Sequence, residues 1–262
     1  MPTIVTDYRK RKLVEHDFKR GLLVFWHGLG DLVMFLPVWD ALRVQYDLTL
    51  GLQPGVGQQE LVDGIELTKP LHEYEEYDHV FVVAFPMSEG GNTKTKLDKC
   101  LEAEIGPVTY NREWRLYPTA QSRIVGLNFQ GTCLPESTNP TEQVCRHVWD
   151  EVVEAGYIPL EVMFHHRFHN PRNVQYPFVT ATTRHAEASV QNLIGAIVAC
   201  HAFIGVASGP WVLARQILPA DRVLFLEMRH MLESYTHEPC AKIDGTDYKA
   251  GAVKDWLNRG KE

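Results

Sequence analysis

The chain has 262 residues, of which 45% are apolar and 23% charged, with a formal net charge of -7. That length fits one large globular domain or two small ones, and the composition is that of a soluble protein. The acidic balance argues against a basic coat for nucleic acid or for a membrane surface. Five cysteines, Cys100, Cys133, Cys145, Cys200 and Cys240, form no C-x-x-C pair and are odd in number. They read as free thiols in a reducing compartment, with no structural zinc. The first twenty residues are charged and hold no apolar h-region, and no apolar run approaches the ~18 residues of a spanning helix. The expectation is a cytoplasmic protein without a membrane span.

In chain order, the continuous apolar run 22–26 predicts a strand buried on both faces. A Gly28-Leu29-Gly30-Asp31 turn follows, and then helical spacing over 32–43, with Pro37 in the early helix. Strand, glycine turn and helix make the first half of a βαβ unit. The stretch 46–52 predicts a strand, 58–65 a short helix, 79–85 a buried strand, and 93–106 a helix ending at Gly106. Residues 108–122 carry no period and read as a crossover.

The second half repeats the style. A strand at 123–129 leads into the polar loop "QGTCLPESTNP". A helix at 141–156 has Thr141 as cap and Gly156 as stop. Strands are predicted at 160–164, 202–207 and 222–227. Helices are predicted at 188–201, with Ser189 as cap, and over "WVLARQIL", with a terminal helix at 248–260. Strands alternating with helices predict parallel sheets in an α/β protein. The halves divide near residue 118, giving two Rossmann-like domains, 1–118 and 119–262, whose terminal helix has the option of crossing back to the first.

In open α/β sheets, ligands bind beyond the carboxyl ends of the strands. Two glycine turns stand there, His27-Gly28-Leu29-Gly30-Asp31 and Ala207-Ser208-Gly209-Pro210. Each lets a backbone approach a ligand and opens a helix whose N–H groups suit a phosphate. Each is equally a tight turn feeding a helix. Asp31 is then either the N-cap of its helix or a chemical centre.

The flanks carry a resemblance. "GLGDLVMFLPVWDALR" resembles the N-terminal motif of the heptosyltransferases of glycosyltransferase family 9, with Gly28, Gly30, Asp31, Pro37, Leu42 and Arg43 in register. "SVQNLIGAIVACHAFIGVASGPWVLA" resembles that family's C-terminal signature, with Ser208, Gly209, Leu213 and Ala214 matching, and "IVGLNFQG" resembles the strand and loop that open its nucleotide-binding domain. The chain departs from the motif at Ala207, where the family has Asp, and at Val212, where it has His. Its loop after the first strand of the second half also lacks the usual basic residue.

The resemblance implies a GT-B fold, two Rossmann-like domains with parallel sheets facing a central cleft. It implies a metal-independent, inverting glycosyltransferase whose donor substrate is a nucleoside-diphosphate sugar, with no cofactor. Asp31 would be the general base, taking a proton from an acceptor hydroxyl. Gly28, Gly30, Ser208, Gly209 and Pro210 would lie at the donor, where fixed positive potential holds the leaving diphosphate.

Asn128, ending a strand, is a further candidate at the donor, or a structural loop residue. Glu227 closes the last clear strand, where the resemblance to GT-B enzymes implies a ribose site. Arg229 or His230 would supply positive charge near the diphosphate. The His165-His166-Arg167-Phe168-His169 cluster has metal-binding residue types, but adjacent strand residues point to opposite faces. "RKRK" at 9–12 reads as a solvated helix face. The acceptor would be a glycan, a lipid-linked glycan or modified DNA, the last as in a bacteriophage enzyme acting on hydroxymethylated bases. A non-catalytic nucleotide or sugar binder is the alternative outside the enzyme class.

Overall fold

The structure, a computed structural model, describes residues 3–5, 17–25, 28–52, 58–62, 66–67, 74–83, 122–131, 139–164, 175–187, 189–228 and 240–259. The expected helix at 93–106, nearly all of the crossover, the boundary at 118/119, the histidine cluster, "RKRK", Arg229 and His230 lie outside them. By contacts the chain divides into two compact units, Met1–Glu113 and Trp114–Glu262. Among the described residues no helix is long and apolar enough to cross a membrane.

The first unit is built on a five-stranded parallel sheet of β1 (Thr3–Val5), β2 (Gly21–Phe25), β3 (Leu48–Leu52), β4 (Glu66–Leu67) and β5 (His79–Val83), ordered β1-β5-β2-β3-β4. β2, the apolar run, is buried along its whole length because β3 and β5 flank it, Phe25 pairing with Leu52 and Val83. Helix α1 (Leu29–Gln45) returns from β2 to β3. It is buried almost all round from Leu29 to Trp39, rather than showing the single apolar stripe expected of a surface helix. Phe35 stacks on Phe25 at 5.0 Å between centroids and holds the helix to the strand it follows.

The second unit has a six-stranded parallel sheet: β6 (Ile124–Asn128), β7 (Ile158–Phe164), β8 (Arg184–Glu187), β9 (Ala202–Gly205), β10 (Val223–Glu227) and β11 (Ala241–Asp244). Its order is β11-β10-β9-β6-β7-β8. Counted from β6 this is the 3-2-1-4-5-6 order of the doubly wound dinucleotide-binding fold. The strand order reverses between β6 and β9, whose carboxyl ends meet with Asn128 opposite Gly205. The first sheet reverses in the same way between β2 and β5.

Caps set the helix limits. Thr141 Oγ1 accepts the Val144 N–H at 3.4 Å at the start of α2 (Glu142–Glu154), and Gly156, at φ +85°, turns the chain out of it. Ser189 Oγ accepts the Asn192 N–H at 3.3 Å ahead of α3 (Val190–Val198). Ser208 caps α4 (Gly209–Ile217). The terminal helix is shorter than expected, α5 spanning Ala252–Asn258, because Gly251 sits at φ +92° and breaks any helix before it. It packs on α2 within the second unit, with Val253, Trp256 and Leu257 joining Val144, Val148 and Val152 in one core over β6, β9 and β10.

α5 has no capping side chain of its own. Glu151 of α2 does that work. Its carboxylate accepts N–H groups from Gly251 at 2.7 Å, Val253 at 2.9 Å and Lys254 at 3.2 Å. Those donors have no partner within a helix, so a buried anion there is both satisfied and favoured by the helix dipole.

Candidate active site

In the first unit α1 begins four residues after the end of β2, which keeps Asp31 near the carboxyl end of the sheet's central strand. Asp31 is the third residue of α1 and not its N-cap, contrary to the capping alternative. Gly28 takes the N-cap, at φ -67° and ψ 170°, and its carbonyl receives the Leu32 N–H at 3.1 Å. The Gly28 N–H bonds back to the Asp31 carboxyl, which is half of a capping box. The G-x-x-D spacing, a cap followed three residues later by an acid, was the signal for this start. Burial pushes the Asp31 carboxyl up from 3.8 to about 6, against the lowering effect of the Gly28 N–H. Asp31 therefore stays mostly ionised at pH 7 yet sits close to the proton-transfer range. Gly30, the second helical residue, is buried beside it.

In the second unit the switch between β6 and β9 brings together two predicted residues that lie 80 apart in the chain. Ser208 Oγ is 2.6 Å from Asn128 Oδ1 and accepts the Trp211 N–H at 3.3 Å. Asn128, only 2% exposed, also donates from Nδ2 to the Val162 carbonyl of β7 at 2.8 Å. The end of β6, the body of β7 and the start of α4 are thus tied by one buried amide. The close approach depends on Gly205, where a Cβ would stand 3.0 Å from the Asn128 carbonyl oxygen and 3.3 Å from the Trp211 ring. Gly205→Ala is expected to cost about 1–3 kcal/mol by overpacking, read from urea unfolding.

The first turn of α4 spends most of its own donors. Pro210 has no N–H, Trp211 gives its proton to Ser208 Oγ, and Val212 bonds the Ser208 carbonyl at 3.0 Å. Gly209 N–H is the first-turn donor that none of these contacts uses. Glu227 closes β10 as expected, but its Oε1 pairs with Lys242 Nζ of β11 at 3.3 Å. Lys242 went unseen in the sequence because "AKID" is too short a strand to show alternation. Ala207 and Val212, the two departures from the family motif, are both buried.

No family model matches the chain, and no curated protein matches it in sequence. Solved structures do match. The iron-containing dodecameric glycosyltransferase TibC of enterotoxigenic E. coli superposes with a TM-score of 0.60 at 13% identity, over 93% of this chain and 78% of its own. A glycosyltransferase of family 9 from Veillonella parvula gives 0.56 at 14%, over 87% and 86%. The E. coli heptosyltransferase WaaC, solved with ADP, gives 0.58 at 11%, over 92% and 99%. The chain has the fold of the family 9 heptosyltransferases. At such low identity the shared property is the family 9 architecture, two parallel α/β sheets, while the residues at the strand ends are this chain's own.

Proposed function

We propose that the chain is a cytoplasmic glycosyltransferase that moves a sugar from a nucleoside-diphosphate sugar to an acceptor hydroxyl, with inversion and without a metal ion. The observation that carries this reading is Asp31: a carboxylate held by a backbone N–H after the central strand of a family 9 fold, raised by burial to about 6. Its role is to take the proton of the acceptor hydroxyl. The acceptor oxygen then bonds to the anomeric carbon as the bond from that carbon to the diphosphate oxygen breaks, the electron pair leaving with the diphosphate. Gly209 N–H and the positive end of α4 supply the fixed potential that receives the leaving charge.

TibC is known in complex with ADP-D-beta-D-heptose, and WaaC with ADP and with ADP-2-deoxy-2-fluoro heptose. Carried over to this chain, those complexes put ADP-sugars first on a test panel. Thermal shift against nucleoside-diphosphate sugars is expected to show stabilisation by one donor. That donor should then be slowly hydrolysed without acceptor. Stabilisation without any turnover, under all acceptors tried, would favour the non-catalytic binder.

Gly209→Val is expected to abolish donor binding in a protein that still folds, because a branched side chain blocks approach to the N–H. Calorimetry on a variant with an unchanged circular dichroism spectrum checks this; unaltered affinity removes α4 from the donor site.

A further inference from the structure

Hydrogen-bond arithmetic at the β6–β9 switch fixes the direction of every proton around Ser208. The Val162 carbonyl only accepts, so the Asn128 atom 2.8 Å away is the NH2 group. The amide oxygen of Asn128 is then the atom 2.6 Å from Ser208 Oγ, and it too only accepts. Ser208 must donate its single proton to Asn128. It also receives the Trp211 N–H. A hydroxyl has one proton and two lone pairs, so Ser208 has one lone pair left. Reversing the amide would set its oxygen against the Val162 carbonyl inside the protein, leaving a buried acceptor unpaired.

We propose that Asn128 is a positioning residue that locks Ser208 as a hydrogen-bond acceptor. The end of α4 then takes diphosphate through Gly209 N–H and turns Ser208 Oγ toward a hydroxyl of the ligand. This rests on the nucleoside-diphosphate-sugar reading above. A phosphate oxyanion brings only lone pairs and meets a lone pair at Ser208. A hydroxyl brings a proton and is welcomed. Two hydroxyl sources fit, the ribose of the nucleotide and the transferred sugar.

Two measurements decide it. In ligand-free protein, one Asn128 Nδ2 proton is expected to be protected from solvent exchange by NMR, as the Val162 bond requires. Two freely exchanging protons overturn the lock. Calorimetry then compares wild type with Ser208→Ala on inorganic diphosphate, nucleoside diphosphate and nucleotide sugar. The variant is expected to lose about tenfold in affinity for the hydroxyl-bearing ligand relative to inorganic diphosphate. A loss that begins with the nucleoside diphosphate assigns the ribose, and one confined to the nucleotide sugar assigns the transferred sugar. An equal loss for all three, or no loss for any, overturns the acceptor role. A wild type that binds none of them overturns the functional reading and the hydroxyl partner with it, while the Asn128 amide still stands or falls on the exchange measurement.

Discussion

Asp31→Asn is expected to lower the transfer rate by about 10²–10⁴ while making the folded protein more stable at pH 7. Asparagine keeps the size of the side chain and an oxygen for the Gly28 N–H, but it accepts no proton from an acceptor hydroxyl. The stability gain follows from linkage. Folding raises the carboxyl from 3.8 to about 6, mainly by burial. The folded state therefore holds the proton more tightly than the unfolded one. The contribution is fully present below pH 3.8 and is lost as pH climbs through about 6. The gap amounts to the order of 3 kcal/mol against the fold at neutral pH. Asparagine has no charge to bury, so the variant escapes that cost. Urea unfolding at pH 5 and pH 7.5 should show a pH-dependent loss in wild type that is absent from the variant. The acidic limb of the rate profile, near pH 6, should vanish with it. Full transfer activity in Asp31→Asn would remove Asp31 as the base.

Glu151→Ala should destabilise the second unit by about 3–5 kcal/mol, since hydrogen bonds to a charged group contribute about 1.5–3 kcal/mol each and these share two oxygens. Glu151 is only 6% exposed and receives three N–H groups, from the Gly251 cap and from Val253 and Lys254 of α5. Alanine leaves those donors with nothing to bond in a place water reaches poorly. The damage should be local first: hydrogen exchange at 252–258 should accelerate before the sheet opens. Glu151→Gln, which retains one acceptor oxygen, should lose roughly half as much. A change under 1 kcal/mol in Glu151→Ala would mean that α5 is held by its apolar contacts alone.

The strands most legible in the sequence are those buried on both faces. β2, β5, β6, β9 and β10 each announce themselves as a short apolar run. Edge strands do not. β8, "RHAE", pairs among the described residues with β7 alone and has no apolar pattern, and β11 alternates over just four residues. α1 starts three residues before its helical spacing does, because its cap is a glycine and the sign of that cap lies in the acid three residues on, Asp31. Asn128 and Ser208 were each visible as a residue ending a strand or opening a helix. Their contact was not, since nothing local relates two positions 80 apart, and only the order of the strands brings them together. Glu151 looks like a surface residue of a polar helix. Yet it stands three residues after Val148 and seven after Val144, on the stripe that faces the core. A carboxylate on that stripe demands a buried partner, and this was the readable clue.

That partner is made late. Glu151 and the N–H groups it receives are 100 to 103 residues apart. At synthesis rates of about 5–20 residues per second, α2 exists for roughly 5–20 s before α5 can meet it. During that interval a carboxylate on the inner stripe of α2 has no donors, so burying it early is penalised, and water remains its better partner. β9, β10 and β11 also arrive within the same interval. Closure of the second unit over α2 is therefore coupled to the arrival of its last helix, and a nascent chain stalled between α2 and α5 should present that face to chaperones rather than fold around an unpaired charge.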